Sequence, residues 1–348
     1  MVNVGIVGIG FMGLIHYLAY QRISGARVAA IASRDPKKLA GDWRGIKGNF
    51  GPAGSQMDLG NVRRYAELDT LLSDSTIDLV DICLPPALHA EAAIAALRAG
   101  KHVLCEKPMA LNSKDAARMM AAAEKAGRLL MVAHVLPFFP EYAFALAAIQ
   151  SGRYGRLLGG HFRRIISDPL WIKDFYDPDQ VGGPVIDLHV HDAHFIRAIA
   201  GMPQAVFSSG RLRPGTEVVE FVNTQFLYPA GGPTITAASG VIHQQGRGFA
   251  HGYEIYLEKG TLLFDFAALA DGAQATPLTV LGKGGKVTRP ALGASDPLDG
   301  FVAELKEACR AVQRGQPSST LSGELARDAL VLCERQSRSV RTGKIVRM

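Results

Sequence analysis

Val2-Asn3-Val4-Gly5-Ile6-Val7-Gly8-Ile9-Gly10-Phe11-Met12-Gly13 opens the chain, and its reading decides the fold. A short apolar run suited to a buried strand meets three glycines, and a helical pattern then continues to about Ser24. At such a strand-to-helix turn, Gly8 makes the tight bend. Gly10 leaves its side-chain space to a pyrophosphate, and Gly13 lets helix and strand pack closely. The start of the helix adds free N–H groups and the positive end of a dipole. Phe11 and Met12 lie within the turn and join the three glycines as expected cofactor-binding residues. The ligand class these residues predict is a dinucleotide.

Outward from this turn, short apolar runs alternate with helical patterns through the first 135 residues. Strands are expected at 27–32, 77–83, 102–105 and 129–132. An Ala-rich helix at 89–99 closes at Gly100, and a second, capped by Asn112 or Ser113, runs to Lys125 before Gly127. This spacing predicts a parallel sheet covered on both faces. The stretch 41–61, with six glycines in 21 residues and little periodicity, reads as a long surface insertion.

From about residue 155 the texture changes. Runs at 158–166, 205–212, 218–228, 234–243, 253–257 and 261–266 are β-like, and helical character is confined to 184–200, introduced by Gly182-Gly183. Residues 273–297 read as loop with a short edge hairpin at 278–287, and 299–313 and 321–338 read as amphipathic helices. The expected fold class is α/β: an N-terminal Rossmann domain (1–135), then a C-terminal α+β domain with a predominantly antiparallel sheet, for substrate binding and oligomerisation (136–330). The final helix and tail (331–348) are expected to pack on the first domain.

At 348 residues, two domains are the natural division. Thirty-eight basic against 32 acidic side chains give +6, with 48% hydrophobic residues, which excludes a disordered chain. The four cysteines, Cys83, Cys105, Cys309 and Cys333, never form CxxC, so a zinc ribbon or a disulfide scaffold is not expected. No basic leader precedes the first strand, and no apolar run reaches the ~20 residues of a membrane helix. The reading is a cytoplasmic protein without a membrane partner. Its basic residues are dispersed rather than interleaved with aromatics, so no nucleic-acid partner is expected. A mild attraction for a phosphorylated ligand is.

An Asp or Glu about 20 residues past the third glycine would accept both ribose hydroxyls and favour NAD. Here Ala32-Ser33-Arg34 stands at that point, with Asp35 one step late. Ser33 can hydrogen-bond a 2′-phosphate while Arg34 pairs with it, which favours NADP over NAD; Arg34 as a solvent-facing cap over adenine suits either cofactor. Two further segments follow strands, where ligands of such sheets bind. Leu84 and Pro85 form an edge for the adenosine half or the nicotinamide ribose, and His89 begins the next helix, a hydrogen-bonding position rather than a chemical one. Glu106-Lys107-Pro108 holds a lysine beside the cleft.

In the second half, Asp187, His191 and His194 are spaced four and three apart and would share one helical face, while His189 and Asp192 could pair on a neighbouring one. A carboxylate, imidazoles and a lysine are proton acceptors and donors suited to an alcohol or carbonyl. The same trio could ligate a metal or form a structural histidine cluster; an adjacent ammonium opposes a metal, and none is expected. Trp171 is a sugar-stacking candidate or a core aromatic. His134 and Tyr142 are weaker cleft candidates.

Together the glycine turn, Ile77-Asp78-Leu79-Val80, Gly100-Lys101-His102-Val103-Leu104-Cys105-Glu106-Lys107-Pro108 and the run Gly182 to Asp192 resemble the glucose–fructose oxidoreductase / inositol dehydrogenase / rhizopine catabolism protein (Gfo/Idh/MocA) family across nearly the whole chain. The resemblance implies a Rossmann domain followed by a domain built on a large, mostly antiparallel sheet whose open face forms dimers or tetramers. It also implies a nicotinamide cofactor acting on sugars, cyclitols or related polyols. It assigns His191 as acid/base, Lys107 as the group that orients substrate and cofactor, and Asp187 as a substrate or relay partner. His189 and His194 depart from the family's usual residues; either could reach the substrate and alter which polyol fits. The activity implied is an NAD(P)-dependent dehydrogenase or reductase. Two alternatives are transient oxidation by a retained cofactor during elimination or glycoside cleavage, and a non-catalytic dinucleotide- or sugar-binding protein.

Overall fold

The computed structural model describes every residue except Asn49, Trp171, Lys173, Ala294 and Ser295. The chain divides into two units, residues 1–139 with 294–327 and residues 140–293 with 328–348. Among the described residues no helix is long and apolar enough to cross a membrane.

The first unit follows the alternation in the sequence: β1 (Val2–Val7), α1 (Phe11–Tyr20), β2 (Ala26–Ala32), α2 (Pro36–Leu39), β3 (Arg63–Tyr65), α3 (Leu68–Leu72), β4 (Leu79–Ile82), α4 (His89–Arg98), β5 (His102–Glu106), α5 (Ser113–Ala126) and β6 (Leu130–Ala133). The strands pair in the order β3-β2-β1-β4-β5-β6, all parallel. That is the doubly wound order, with its crevice beyond the carboxyl ends of the strands. Val4, Ile6, Leu79 and Leu104 are fully buried because helices cover both faces of the sheet. The ends of α5 obey local chemistry: Asn112 accepts from the Asp115 N–H at 2.9 Å, and Gly127 takes the left-handed conformation at φ 60°.

The segment 41–61 departs from the surface insertion expected of it. Trp43 is completely buried, donates from Nε1 to the Lys38 carbonyl at 2.8 Å and packs edge-on against Tyr17, ring centres 4.9 Å apart. Ile46 and Leu59 join the same core, Asp42 bridges to Gln56, and Phe50 stacks on Phe301 at 5.4 Å. Aperiodic spacing conceals these anchors, because each apolar side chain serves a different neighbour.

The second unit contains α6 (Pro140–Gln150), β7 (Leu157–Ser167), a π turn (Val185–His189) running into α7 (Val190–Ala200), β8 (Ala205–Leu212), β9 (Val219–Leu227), β10 (Thr234–Ile242), β11 (Arg247–Leu257), β12 (Gly260–Leu269), β13 (Gly272–Leu281) and β14 (Val287–Thr288). After α8 (Asp299–Arg314) and α9 (Gly323–Thr342), β15 (Val346–Arg347) completes a nine-stranded sheet ordered β14-β13-β12-β11-β7-β10-β9-β8-β15. Every neighbouring pair is antiparallel except β7 and β10. The stretch read as loop from 273 contributes the ten-residue β13, and β11 begins six residues before the expected run.

The segment that returns to the first unit is 294–327 rather than 331–348. The apolar stripe of α8, Phe301, Leu305, Ala308 and Cys309, enters the core with Leu14 and Ile15 of α1. Residues 328–348 count with the second unit, where Val346 pairs with Val206.

Candidate active site

At the end of β1, Gly8 has φ +94°, and a Cβ there would stand 2.7 Å from the Cys83 carbonyl oxygen. A Cβ on Gly13 would run into the Gly8 carbonyl oxygen, whereas around Gly10 nothing lies within 4 Å of the equivalent point. Gly10 is the N-cap of α1 and supplies no side-chain cap, and the first turn carries no acidic residue. Two glycines are thus required by packing and one opens a cradle beside uncapped N–H groups, a fit for a dinucleotide pyrophosphate. Phe11 and Met12 are half-buried in the first turn of α1.

At the end of β2, Ser33 Oγ accepts from the Asp35 N–H at 3.2 Å. The Asp35 carboxylate caps α2, accepting from the Lys37 N–H at 2.9 Å. Beside this cap is a cavity of about 480 Å³ that Gly10 and Phe11 line together with Lys37, Lys38, Arg44 and Lys47. Asp42, also on its wall, is held by Arg44 through two hydrogen bonds of 2.8 and 2.9 Å, which lower its pKa to about 2. Arg34 is exposed; the cationic side chains on the cavity come from α2 and from the 41–61 segment.

At the end of β5, Glu106 is buried and Lys107 half-buried, and the Lys107–Pro108 bond is cis. The backbone N–H of Lys107 donates to Glu106 Oε2 at 3.0 Å. The buried His89 ring spans two turns, with Nδ1 2.8 Å from the Pro108 carbonyl and Nε2 2.7 Å from the Leu84 carbonyl. It therefore joins the Leu84-Pro85 edge to the Lys107 turn, as its reading as a hydrogen-bonding residue expects. The sequence reading missed His16, fully buried on α1, whose ring nitrogens lie 2.8 Å from Asp81 Oδ2 and 3.0 Å from Glu106 Oε1. A histidine inside the apolar run Leu14 to Leu18 was the available signal. His134, just past β6, is 1% exposed.

In the second unit the expected helix from Pro184 begins as the π turn that holds Asp187. Such wide turns alter which residues line up along a helix and recur at functional sites. Asp187 and His191 are half-buried, whereas His194 is wholly buried, so the expected trio separates into a partly accessible pair and a core residue. The pairing of His189 with Asp192 is also corrected. Asp192 receives two hydrogen bonds from Arg164, at 2.7 and 3.1 Å, and both residues are at most 2% exposed.

His189 Nε2 instead lies 2.9 Å from the Gln336 amide nitrogen, and burial pushes its pKa down to about 4. A buried charge needs a geometrically complete partner, and the guanidinium fork offers one. Tyr142 belongs to the core rather than a cleft: it is 0% exposed, with its hydroxyl 3.0 Å from His251 Nδ1. Trp171 lies outside the described residues.

Residues 2–134 match the family model described as oxidoreductase family, NAD-binding Rossmann fold, and residues 142–263 match that of the GFO/IDH/MocA C-terminal domain. An uncharacterised oxidoreductase of Rhizobium meliloti is 30% identical over 66% of this chain and 66% of its own length. A D-xylose 1-dehydrogenase (NADP(+)) of Haloferax volcanii is 27% identical over 90% of this chain and 89% of its own. The matched stretch spans from about two fifths to nearly all of the length of such curated relatives. In fold, the chain resembles the crystal structure of aldose-aldose oxidoreductase from Caulobacter crescentus, with TM-score 0.80, 23% identity and coverage of 100% of this chain and 99% of that one.

Proposed function

We propose, since this chain belongs to the Gfo/Idh/MocA oxidoreductase family, that it moves a hydride between a nicotinamide dinucleotide and a carbinol carbon of a sugar, sugar acid or cyclitol. The observation that carries this reading is the glycine turn after β1 together with the Lys107 turn after β5, both at the carboxyl edge of one parallel sheet. The substrate class is supported by relatives named for D-xylose, myo-inositol and levoglucosan. When bound, the nicotinamide supplies the carbon that accepts or returns the hydride. Gly8, Gly10, Gly13 and the first turn of α1 hold the pyrophosphate. In this reading Lys107 orients substrate and stabilises the developing alkoxide. His191 takes the hydroxyl proton, and Asp187 assists as its relay or as a substrate contact. His134, His189 and His194, being buried, support these groups rather than touch substrate. The four buried free cysteines suit a reducing cytoplasm, where we place a homodimer or homotetramer.

The test is a screen of polyols, aldoses, inositols and sugar acids with NAD and NADP, read by absorbance of the reduced nicotinamide. With a substrate in hand, Lys107→Ala and His191→Ala each lower turnover by about 100-fold or more while dinucleotide affinity stays within about threefold. Near-normal turnover in both variants sinks the mechanism.

For the cofactor, the reading is NADP. Lys37, Lys38, Arg44 and Lys47 ring a cavity beside the glycine turn, and the one nearby acid at the end of β2, Asp35, is engaged in capping α2. A 2′-phosphate forms ion pairs with these side chains, which a neutral ribose hydroxyl does not. The double variant Lys37→Ala/Lys38→Ala should lower the NADP-to-NAD affinity ratio by about tenfold or more, chiefly by weakening NADP. An unchanged ratio refutes the assignment.

A further inference from the structure

We propose that His16 is a positioning residue that holds the Lys107 turn in place through Glu106; its link to turnover rests on the role of Lys107 argued above. His16 sits on the second turn of the chain's first helix with none of its surface exposed, and its ring spans two strands of the sheet beneath. Nδ1 is 2.8 Å from Asp81 Oδ2 on β4, and Nε2 is 3.0 Å from Glu106 Oε1 on β5. The second oxygen of that same glutamate, Oε2, accepts the backbone N–H of Lys107 at 3.0 Å. The carboxylate is thereby held at both oxygens, by a close charge contact from the imidazole that is not aligned as a hydrogen bond and by a hydrogen bond from the lysine's own backbone. A buried carboxylate without its imidazole partner would lose one of these two anchors and rotate.

Nδ1 hydrogen-bonds Asp81 while Nε2 makes no hydrogen bond, so the hold on Glu106 is a charge contact, which only an imidazolium supplies. Burial opposes that charge, but Asp81 and Cys83 more than offset it, and the His16 pKa is raised well above its ordinary value. The groups facing the ring from other elements agree. Burial raises the pKa of Tyr20 on α1, Cys83 beside β4 and Cys105 on β5, so all three are neutral near pH 7. Glu304 on α8 is fully buried, neither of its oxygens has a hydrogen-bond partner among the described residues, and burial with Glu106 close by raises its pKa well above the carboxylate range. The ring thus belongs to a buried cluster that reaches the Lys107 turn through Glu106. His16, Asp81 and Cys83 also lie close enough to share a metal ion, with candidate ligand atoms within 4.8 Å of one another. The 2.8 Å approach of His16 to Asp81 is already a hydrogen bond, so a proton rather than a metal is assigned there.

The experiment compares His16→Gln with the wild type in the full chain, without substrate. Amide hydrogen exchange is read residue by residue, and the amides of α5 serve as a folding control. The Lys107 amide should exchange about tenfold faster or more while α5 is unchanged. Nitrogen-15 NMR of the wild-type histidines should show one ring doubly protonated at pH 8. Once a substrate is known, His16→Gln should lower kcat by about tenfold with cofactor affinity within about twofold, and should cost nothing further in a Lys107→Ala background. Unchanged exchange at Lys107, a neutral His16 ring, or stoichiometric zinc in the purified protein each overturn the proposal. If Lys107→Ala keeps full turnover, the role of the lysine fails, yet the exchange measurement still decides what His16 holds. Should His16→Gln not fold, Asp81→Asn leaves both His16 and Glu106 in place and must loosen the same amide.

Discussion

Four buried groups titrate in opposing directions, and their signs predict how stability depends on pH. His189 and His251 have pKa values pushed by burial to about 4 and about 3, below the 6.5 of an unfolded histidine. Their contribution is complete above pH 6.5 and is lost as pH falls through those values, because the unfolded chain then binds protons that the folded one refuses. For His189 the span corresponds to about 3 kcal/mol. Glu304 and His16 run the other way: both hold protons in the folded state above their unfolded values, so stability falls as pH rises past 4.5 for the glutamate and past 6.5 for the histidine. The expected result is a stability maximum near about pH 6.5 in urea titrations between pH 4.5 and 9. His189→Gln should flatten the acid limb and Glu304→Gln the alkaline one. A profile that rises steadily to pH 9 contradicts these assignments. Residue types in the sequence marked 187–194 as chemically rich, but whether each imidazole met water or core depended on Arg164 and Gln336, which no local spacing connects to that run.

At the scale of elements, the chain's helices and strands were legible wherever apolar periodicity was clean. The glycine turn, the α5 caps and most strands fall within a few residues of their expected positions, whereas β11 starts six residues early, β13 lies largely where loop was expected, and the short β3 and β15 were not foreseen. The failures share a cause. The 41–61 segment has no period, so Trp43 passed as a surface residue, although its ring is fully buried against Tyr17. Trp43→Ala should cost about 3–5 kcal/mol, measured as a shift in the denaturant midpoint; a loss under about 1 kcal/mol would return the segment to the surface. The same segment carries Arg44 and Lys47 to the cavity beside Gly10, so loosening its anchor should also weaken NADP binding. The π turn is a second case: a helical pattern was visible, but the pattern does not distinguish an α-helical turn from the wider one that holds Asp187.

For the whole molecule, an alternation of strands and helices was enough to announce a parallel sheet, since only helical crossovers connect parallel neighbours and each leaves its mark in the chain. A run of strands likewise announced a largely antiparallel sheet. It could not announce that β7 and β10 pair parallel, because that contact joins strands separated by a helix and two other strands. Nor did amphipathicity alone tell which core α8 would enter. By itself the sequence determined the fold class, the dinucleotide turn, the lysine turn after β5 and the family, because these are written in residues a few positions apart. Tertiary structure alone decided which polar groups pair: His16 with Asp81 across 65 residues, Asp192 with Arg164 across 28, His189 with Gln336 across 147. Backbone preference and glycine sterics act locally, whereas a buried charge or imidazole takes whichever distant partner the packed core brings within hydrogen-bonding distance.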